Sequence, residues 1–386
     1  MTMSYLGLDD AFLAEHGATW TAREIEQQPR SWKRTQDMLN TRAPEIEEFL
    51  RPLLARPNLR VILTGAGSSA YIGQCLAPTI LRTSNKRVEA IATTDLISGP
   101  RDYLQREVPT LIVSFGRSGN SPESVATVEM ARQSVDECYQ LVFTCNPQGE
   151  LYACCKGHTD SLAILLPEET NDRSFAMTSS FSCMLYAALA AFGGIKAYAG
   201  KVAQISAAGA AVIEQFNTPS RALAARGHSR VVYLGSKGLM GLASEAALKV
   251  LELTDGATIA VAHSPLGLRH GPKTFINRDT LAILFISNDP LTRRYDLDLL
   301  RELRRDGVAA GVLAITGRED EAVSEGEHLL VPNMSTADDA EQMFPYVAWA
   351  QLYAFHCSLR MNNSPDNPNA EGTVSRVVRG VTIHTS

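Results

Sequence analysis

No run of about 18 consecutive apolar residues occurs in the 386-residue sequence, so we expect no helix that spans a bilayer. A surplus of basic residues is also missing, because 36 Lys and Arg stand against 42 Asp and Glu and give a formal net charge of −6. Nucleic-acid-binding chains usually carry the opposite surplus, so we expect no nucleic acid partner. The opening residues MTMSYLGLDD have neither a basic flank nor an apolar core, and we expect no signal peptide.

Cysteine is scarce, with seven residues and no CxxC spacing, and an odd number cannot all pair. Free thiols are typical of a reducing compartment, so we predict a cytoplasmic protein. The sequence also lacks HxH and HExxH patterns, a GxSxG nucleophile elbow and the GxxxxGKS/T nucleotide loop. We therefore expect no metal ion, no serine-hydrolase chemistry and no cofactor.

Ten short apolar runs are separated by longer segments with helical periodicity. Runs that are apolar throughout indicate strands buried on both faces of a parallel sheet. They are Arg60–Thr64, Val88–Ala92, Thr110–Ser114, Gln140–Thr144, Leu162–Leu166, Arg230–Leu234, Thr258–Ala262, Thr280–Phe285, Gly311–Thr316 and His328–Val331. Because the second five repeat the order of the first five, we predict an α/β fold with two five-stranded parallel sheets, each flanked by helices.

The expected domain organisation has four parts: a helical segment at 1–48, a first α/β domain at 49–210, a second at 211–361 and a tail at 362–386. A boundary near 205–220 is equally defensible, because the Ala-rich stretch Val202–Phe216 is typical of a connecting helix. The tail is first rich in Asn, Pro and Gly and then apolar at Val377–Ile383. We expect it to dock again, near the active site.

Two loops that follow neighbouring strands combine glycines with hydroxyl side chains: GAGSSA after the first predicted strand and FGRSGNSPES after the third. Glycine lets backbone N–H groups approach an anion, and a helix that begins there adds its dipole. Ordinary helix capping is the alternative, but two such loops favour a small phosphorylated metabolite. The candidate phosphate-binding residues are Ser68, Ser69, Arg117, Ser118, Gly119 and Ser121. The counterpart loop Gly235–Gly238 of the second half is less suited to bind phosphate, because no loop rich in hydroxyl groups follows Phe285.

Glu245, Lys249 and Glu252 share one face of a predicted helix at Leu239–Leu253. Their spacing of four and three residues is typical of a solvated row of ion pairs. A general base at Glu252 is the functional alternative, and the spacing alone favours the solvated row.

The segment His263–Lys273 carries two histidines and two cations in a loop punctuated by Gly and Pro. Catalytic groups concentrate in loops on rigid scaffolds, and histidine gains and loses a proton near neutral pH. Metal binding is the competing interpretation, but no third ligand has suitable local spacing. Phosphate loops, a Glu and a His together suit proton abstraction next to a carbonyl.

The segment EIEQQP, the loops GAGSSA and SFGRSGNSPES, and the pair ALKVLEL and LRHGPK occur in this order. Together they resemble the motifs of the SIS (sugar isomerase) family along nearly the whole chain. The resemblance implies two tandem SIS domains of the doubly wound, flavodoxin-like type that bind a hexose 6-phosphate or hexosamine 6-phosphate. Three further segments, ETNDRSFAMTSS, TRRYDLDLLRELRRD and GTVSRVVRGVTIH, resemble the branch that acts on galactosamine 6-phosphate and tagatose 6-phosphate.

The resemblance also implies roles for individual residues. Glu252 falls on the family's base for proton transfer between C1 and C2, and His270 on the histidine that opens the sugar ring. Since that histidine comes from the neighbouring subunit in relatives, a homodimer or a higher homo-oligomer with a shared active site is implied. Arg117 replaces a family glutamine and should strengthen anion binding. The remaining contacts implied with the substrate are from Ser69, Ser118, Ser121, Thr178 and Arg379, with Arg376 as the alternative to Arg379.

Deamination of D-galactosamine 6-phosphate to D-tagatose 6-phosphate and ammonia is the activity that the resemblance implies first. Plain aldose–ketose isomerisation of tagatose 6-phosphate and deamination of glucosamine 6-phosphate are the alternatives, and a sensor without turnover is a weaker one. No glutaminase domain fits ahead of Thr19, so we expect no ammonia delivery from glutamine.

Overall fold

The computed structural model describes residues 4–378 and 380–384. The chain begins with a short antiparallel pair and three helices: β1 Ser4–Tyr5, β2 Leu8–Asp9, α1 Asp10–Glu15, α2 Thr19–Glu26 and α3 Gln28–Ala55. The first sheet and its helices follow as β3 Arg60–Thr64, α4 Ser68–Ser84, β4 Arg87–Ala90, α5 Thr93–Ser98, α6 Pro100–Tyr103, β5 Thr110–Gly116, α7 Pro122–Ser134, β6 Cys138–Thr144, α8 Glu150–Ala153 and β7 Ser161–Leu165.

After a 3-10 turn, three helices lead to the second sheet: α9 Ser179–Gly193, α10 Ile195–Ala199 and α11 Val202–Ala225. That sheet and its helices are β8 Arg230–Gly235, α12 Gly238–Leu253, β9 Ile259–His263, α13 Pro265–Leu268, β10 Thr280–Phe285, α14 Pro290–Asp306, β11 Gly311–Thr316, α15 Glu321–Ser324, β12 His328–Leu330 and α16 Asp339–Arg360.

Both five-stranded sheets are parallel and have the same topology. The first has the order β4-β3-β5-β6-β7 and the second β12-β11-β10-β8-β9, so each places its second strand at one edge and its first beside its third. This is the flavodoxin-like order. The predicted fold class and all ten predicted strands are confirmed.

The apolar runs form strands because both faces of each sheet are covered. Every residue of β3 and of β10 is buried, as expected for a parallel sheet between helices. Two helices, α9 and α16, are apolar around most of their circumference and buried along most of their length. A helix of that kind belongs to a core rather than to a surface.

The chain forms two compact units. The sheet-1 unit contains Arg30–Asp172, Ser179–Val202 and the residues from Gly372, whereas the sheet-2 unit contains the residues up to Pro29, Arg173–Thr178 and Ala203–Glu371. Helices α1 and α2 belong to the sheet-2 unit because their apolar residues pack against α16 in one cluster that includes Leu13, Ile25, Leu352 and Phe355, whereas α3 lies in the sheet-1 unit from Arg30 onward. The expected boundaries 48/49 and 210/211 fall inside α3 and α11 and stay a prediction.

Within residues 4–378 and 380–384, none of the helices combines the length and the hydrophobicity that a bilayer crossing demands. All seven cysteines are free thiols, as expected, and five of them are buried. Burial raises the pKa of the Cys145 thiol to about 12 and that of Cys138 to about 11. Such thiols are unreactive at neutral pH.

We expect acid to destabilise the protein through His356 on α16. Burial, helped by Arg221, lowers the pKa of this histidine from the ordinary 6.5 to about 4, and its Nε2 lies 2.7 Å from Asn217 Oδ1. Between these values the unfolded chain binds a proton that the folded chain does not, so the free energy of unfolding falls as the pH drops. At about 1.4 kcal/mol per pH unit, His356 accounts for up to about 3 kcal/mol.

Urea unfolding of the wild type and of His356→Gln at several pH values between 7 and 4 checks this expectation. The variant should lose less stability than the wild type over this range, and replacement of the exposed His158 is the control for the loss of a histidine. Equal slopes for the wild type and His356→Gln would refute the assignment.

Candidate active site

The first candidate phosphate loop is a tight turn between β3 and α4. Gly67 has φ +56° and ψ −129°, a conformation that favours glycine, and a Cβ on Gly65 would lie 2.5 Å from the Cβ of Ser69. α4 therefore begins directly at the carboxyl end of its strand, with Ser68 and Ser69 in its first turn. The N–H groups of such a turn form an anion-binding site.

The second loop leaves β5, which pairs directly with β3. Arg117 is buried and Gly119 has φ +65°. Ser121 is the N-cap residue of α7, but its Oγ donates a hydrogen bond to Glu123 at 2.6 Å and does not bind the helix backbone. The main chain at Ser118 is held by Asn146, whose Nδ2 donates to the Ser118 carbonyl at 2.8 Å. Both predicted loops thus emerge side by side at one sheet edge, where doubly wound folds bind ligands.

The C-terminal tail lies against the second loop. Arg117 Nη2 donates to the carbonyl oxygen of Arg376 at 2.9 Å, and the Arg376 guanidinium donates to the carbonyl oxygen of Asp172. The buried Asp172 carboxylate accepts hydrogen bonds from Ser179 and Ser180. Arg117 therefore binds the tail as well as bordering the phosphate loop. The predicted residue Arg379 lies outside the described residues.

The predicted residue Thr178 is fully buried, in a segment of the sheet-2 unit that Glu24 holds in place. The Glu24 carboxylate accepts hydrogen bonds from the backbone N–H of Arg173 at 2.5 Å and from the Oγ of Ser174. Glu24 belongs to the EIEQQP motif, whose Gln28 donates to Gln351 at 2.8 Å. The motif thus fixes a loop, a role that sequence reasoning did not assign.

The counterpart loop in sheet 2 has the same backbone and different chemistry. Lys237 has φ +53° and ψ −126°, nearly the angles of Gly67. A lysine is strained there. The Nζ atom of Lys237 lies 3.2 Å from Asp339 and 3.7 Å from Asp289. The protein's own ammonium group therefore lies at this edge of the sheet.

Three carboxylates, those of Asp289, Asp296 and Asp339, lie at the sheet-2 edge, whereas the sheet-1 loops carry several hydroxyls and the Glu123 carboxylate that Ser121 binds. Asp289 is the N-cap residue of α14 and Ser121 that of the corresponding helix α7, and a proline follows both. The buried Asp296 accepts hydrogen bonds from Ser236 Oγ at 2.6 Å and from Ser287 N–H at 3.0 Å, and burial raises its pKa to about 6. These acids would repel a phosphate.

The interpretation of Glu245, Lys249 and Glu252 as a solvated row is wrong. Glu245 and Lys249 are fully buried, and only Glu252 reaches solvent, with 23% of its side chain exposed. Lys249 Nζ lies 3.3 Å from Glu245 Oε1 and 2.5 Å from Glu252 Oε2. The row is buried because α12 packs against both β8 and β9 and against α16.

Burial disfavours the charged form of Lys249, but the two carboxylates outweigh it and raise the pKa of the lysine. Lys249 is therefore an ammonium group that holds the Glu252 carboxylate. A partly exposed carboxylate fixed in this way fits a positioned proton acceptor.

The histidine loop presents His270 to solvent, in the turn after α13 and directly before Gly271 with φ +114°. The two cations of the loop have structural partners on α14. Arg269 binds Glu302 at 2.8 Å, and Lys273 binds Glu302 and also Asp306, the latter at 2.6 Å. Their ion pairs fix the loop, and the His270 side chain is exposed.

The candidate residues are divided between the two units: the candidate phosphate loops lie in the sheet-1 unit, and Glu252 and His270 lie in the sheet-2 unit. Across the described ranges, no group of three or more His, Cys, Asp or Glu side chains has an arrangement that could hold a metal ion.

Comparisons with known proteins place this arrangement in a family. Residues 53–193 match the SIS domain family. A D-galactosamine-6-phosphate deaminase, AgaS, of Escherichia coli is 46% identical over 367 residues, which cover 95% of this chain and 96% of the relative. The D-galactosamine-6-phosphate deaminase AgaS of Shewanella sp. (strain ANA-3) is 42% identical over 375 residues, which cover 96% of this chain and 93% of the relative.

A crystal structure of tagatose-6-phosphate ketose/aldose isomerase from Escherichia coli has a TM-score of 0.89 and 44% identity, and the match covers 96% of this chain and 98% of that one. Similarity at this level over almost the full length of both chains leaves no room for a different fold. The chain therefore belongs to the SIS domain family, together with these two relatives.

Proposed function

We propose that this enzyme converts D-galactosamine 6-phosphate and water to D-tagatose 6-phosphate and ammonia. The observation that carries the proposal is the 46% identity, over 95% of the chain, to a relative named for this deamination. The chemistry of the candidate residues agrees with it, because two Gly/Ser loops of one unit suit the phosphate and a fixed carboxylate of the other suits proton transfer.

In the proposed reaction, His270 donates and accepts the protons that open the sugar ring. Glu252 then removes the proton from C2 and delivers it to C1, so that the 2-amino enol becomes an imine at C2. Water adds to C2 and the C2–N bond breaks. Ammonia departs, and the ketose phosphate is the remaining product. Ser69, Ser118 and Ser121 would bind the phosphate that does not react.

Aldose–ketose isomerisation without loss of nitrogen is a second candidate, because a solved structure at 44% identity is named as a tagatose-6-phosphate isomerase. Incubation with galactosamine 6-phosphate, glucosamine 6-phosphate and tagatose 6-phosphate, each with an ammonia assay, separates the two. Ammonia from galactosamine 6-phosphate supports the deaminase. Interconversion of tagatose 6-phosphate and an aldose phosphate, with no ammonia from either aminosugar, would establish the isomerase instead.

Two further parts of the proposal concern assembly and compartment. The exposed position of His270 fits a residue that acts in the neighbouring subunit, so we infer a homodimer or a higher homo-oligomer with a shared active site. The seven free thiols favour the reducing cytoplasm.

We expect Arg117→Ala to raise KM about 10-fold or more while kcat changes much less, because the residue binds rather than reacts. The variant should also loosen the tail, since the hydrogen bond to the Arg376 carbonyl is lost. Steady-state kinetics measures the change in KM. Limited proteolysis measures the loosening of the tail as faster cleavage beyond residue 371. Arg106→Ala, which removes an exposed ion pair with Asp136, is the control. An unchanged KM would show that Arg117 takes no part in binding.

A further inference from the structure

Glu245 has no role in the proposed reaction, yet it lies on the helix face of the proposed base. It precedes Lys249 by four residues and Glu252 by seven, so the three side chains form one row along α12. Lys249 lies between the two carboxylates, 3.3 Å from Glu245 Oε1 and 2.5 Å from Glu252 Oε2. Glu245 is the inner end of this row and Glu252 the outer end.

Stability gives no reason for a buried charged row at this place. Removing ions from water costs several kcal/mol for each, and well-packed apolar residues in place of a buried ion pair are often neutral or stabilising. The neighbouring positions of α12 are apolar and fully or largely buried, among them Ala246, Val250 and Leu253. The charged row is therefore better explained by a function of Glu252, the one member that reaches solvent.

Proton transfer would change the charge balance of the row. When Glu252 accepts a proton it becomes neutral, and Lys249 loses one of its two negative neighbours inside the protein. Glu245 is fully buried and lies 3.3 Å from Lys249 Nζ, so its carboxylate leaves the lysine one negative neighbour when Glu252 is protonated. Without it, a buried ammonium would stand beside a neutral acid, which is a costly arrangement.

We propose that Glu245 is a positioning residue for the deamination proposed above, on which this inference rests. Its carboxylate holds the Lys249 ammonium in one place and charged throughout turnover. Lys249 in turn binds Oε2 of Glu252 and leaves Oε1 to carry the proton between C2 and C1.

The first test is Glu245→Gln, which keeps the shape of the side chain and removes its charge. We expect kcat for galactosamine 6-phosphate to fall about 10- to 100-fold with KM within about 2-fold, since a displaced base slows the reaction more than binding. Glu245→Asp, which keeps the charge, should recover part of kcat. A kcat for Glu245→Gln within about 2-fold of the wild type would overturn the proposal.

The double variant Glu245→Leu with Lys249→Met separates positioning from folding. It should unfold at a temperature near that of the wild type, because an apolar pair replaces the buried ions, and its kcat should stay low. Wild-type activity in this variant would overturn the proposal, even if Glu245→Gln alone fails to fold.

A readout without substrate keeps the inference distinct from the proposed function. Lysine ¹⁵N–¹H spectra of the free protein should show the Lys249 ammonium as a slowly exchanging signal that Glu245→Gln shifts or broadens. If no aminosugar yields ammonia, the proposed function fails, whereas an unchanged Lys249 signal in Glu245→Gln defeats the positioning role independently.

Discussion

Replacement of Glu252 by Gln is expected to abolish ammonia release while the protein still binds sugar phosphate. A positioned base typically contributes about 10²- to 10⁴-fold, and Gln cannot accept the proton from C2, so kcat should fall by about that factor. The amide still accepts a hydrogen bond from Lys249, which preserves the local structure. Because the phosphate loops lie on other elements, KM or the Kd of a non-reacting sugar phosphate should change little.

Deuterium exchange gives the sharper measurement. In D₂O the wild type should incorporate solvent deuterium at C1 of the product, whereas Glu252→Gln should incorporate none. Glu325→Gln, a change at an exposed glutamate, is the control for loss of one carboxylate. Normal turnover in Glu252→Gln would remove Glu252 from the mechanism and with it the proposed proton path.

Gly65→Ala is expected to have the second large effect, on both stability and phosphate binding. The added Cβ would lie 2.5 Å from Ser69 Cβ and 2.7 Å from the Ser69 carbonyl carbon, so the first turn of α4 must move. Overpacking against backbone typically costs about 1–3 kcal/mol, and we expect the upper end of that range. The displaced N–H groups should raise KM about 10-fold or more.

Gly157→Ala is the matched control, because Gly157 has φ +78° and no atom within 4 Å of an added Cβ. It should cost only the strain of the left-handed conformation, about 1–2 kcal/mol, and leave KM unchanged. Chemical unfolding and steady-state kinetics of both variants test the expectation. If Gly65→Ala has the KM of the wild type, the first loop does not bind the phosphate.

The sheets were predictable because parallel strands buried on both faces leave continuous apolar runs in the sequence. Arg60–Thr64 and Thr280–Phe285 form strands with the predicted bounds for this reason. The candidate phosphate loops were predictable as well, since Gly and Ser directly after a strand mark a turn into a helix N-terminus. The residue types within each segment are enough to predict both the strands and the turns that follow them.

Features that depend on distant packing were not predictable. Spacing shows that Glu245, Lys249 and Glu252 share a helix face, but only the elements packed on α12 decide that this face is buried. The roles of Arg269 and Lys273 depend on α14, some thirty residues further along the chain. The contact between Arg117 and the tail involves a backbone carbonyl, which leaves no signature in residue type.

The matching backbone angles of Gly67 and Lys237 have a consequence for ligand selectivity. The turn before α12 repeats the backbone of the turn before α4, but its lysine is already paired with Asp339 and Asp289. Exchange of Lys237 alone would leave these acids in place, so we do not expect a single mutation to turn the second turn into a binding site for the ester.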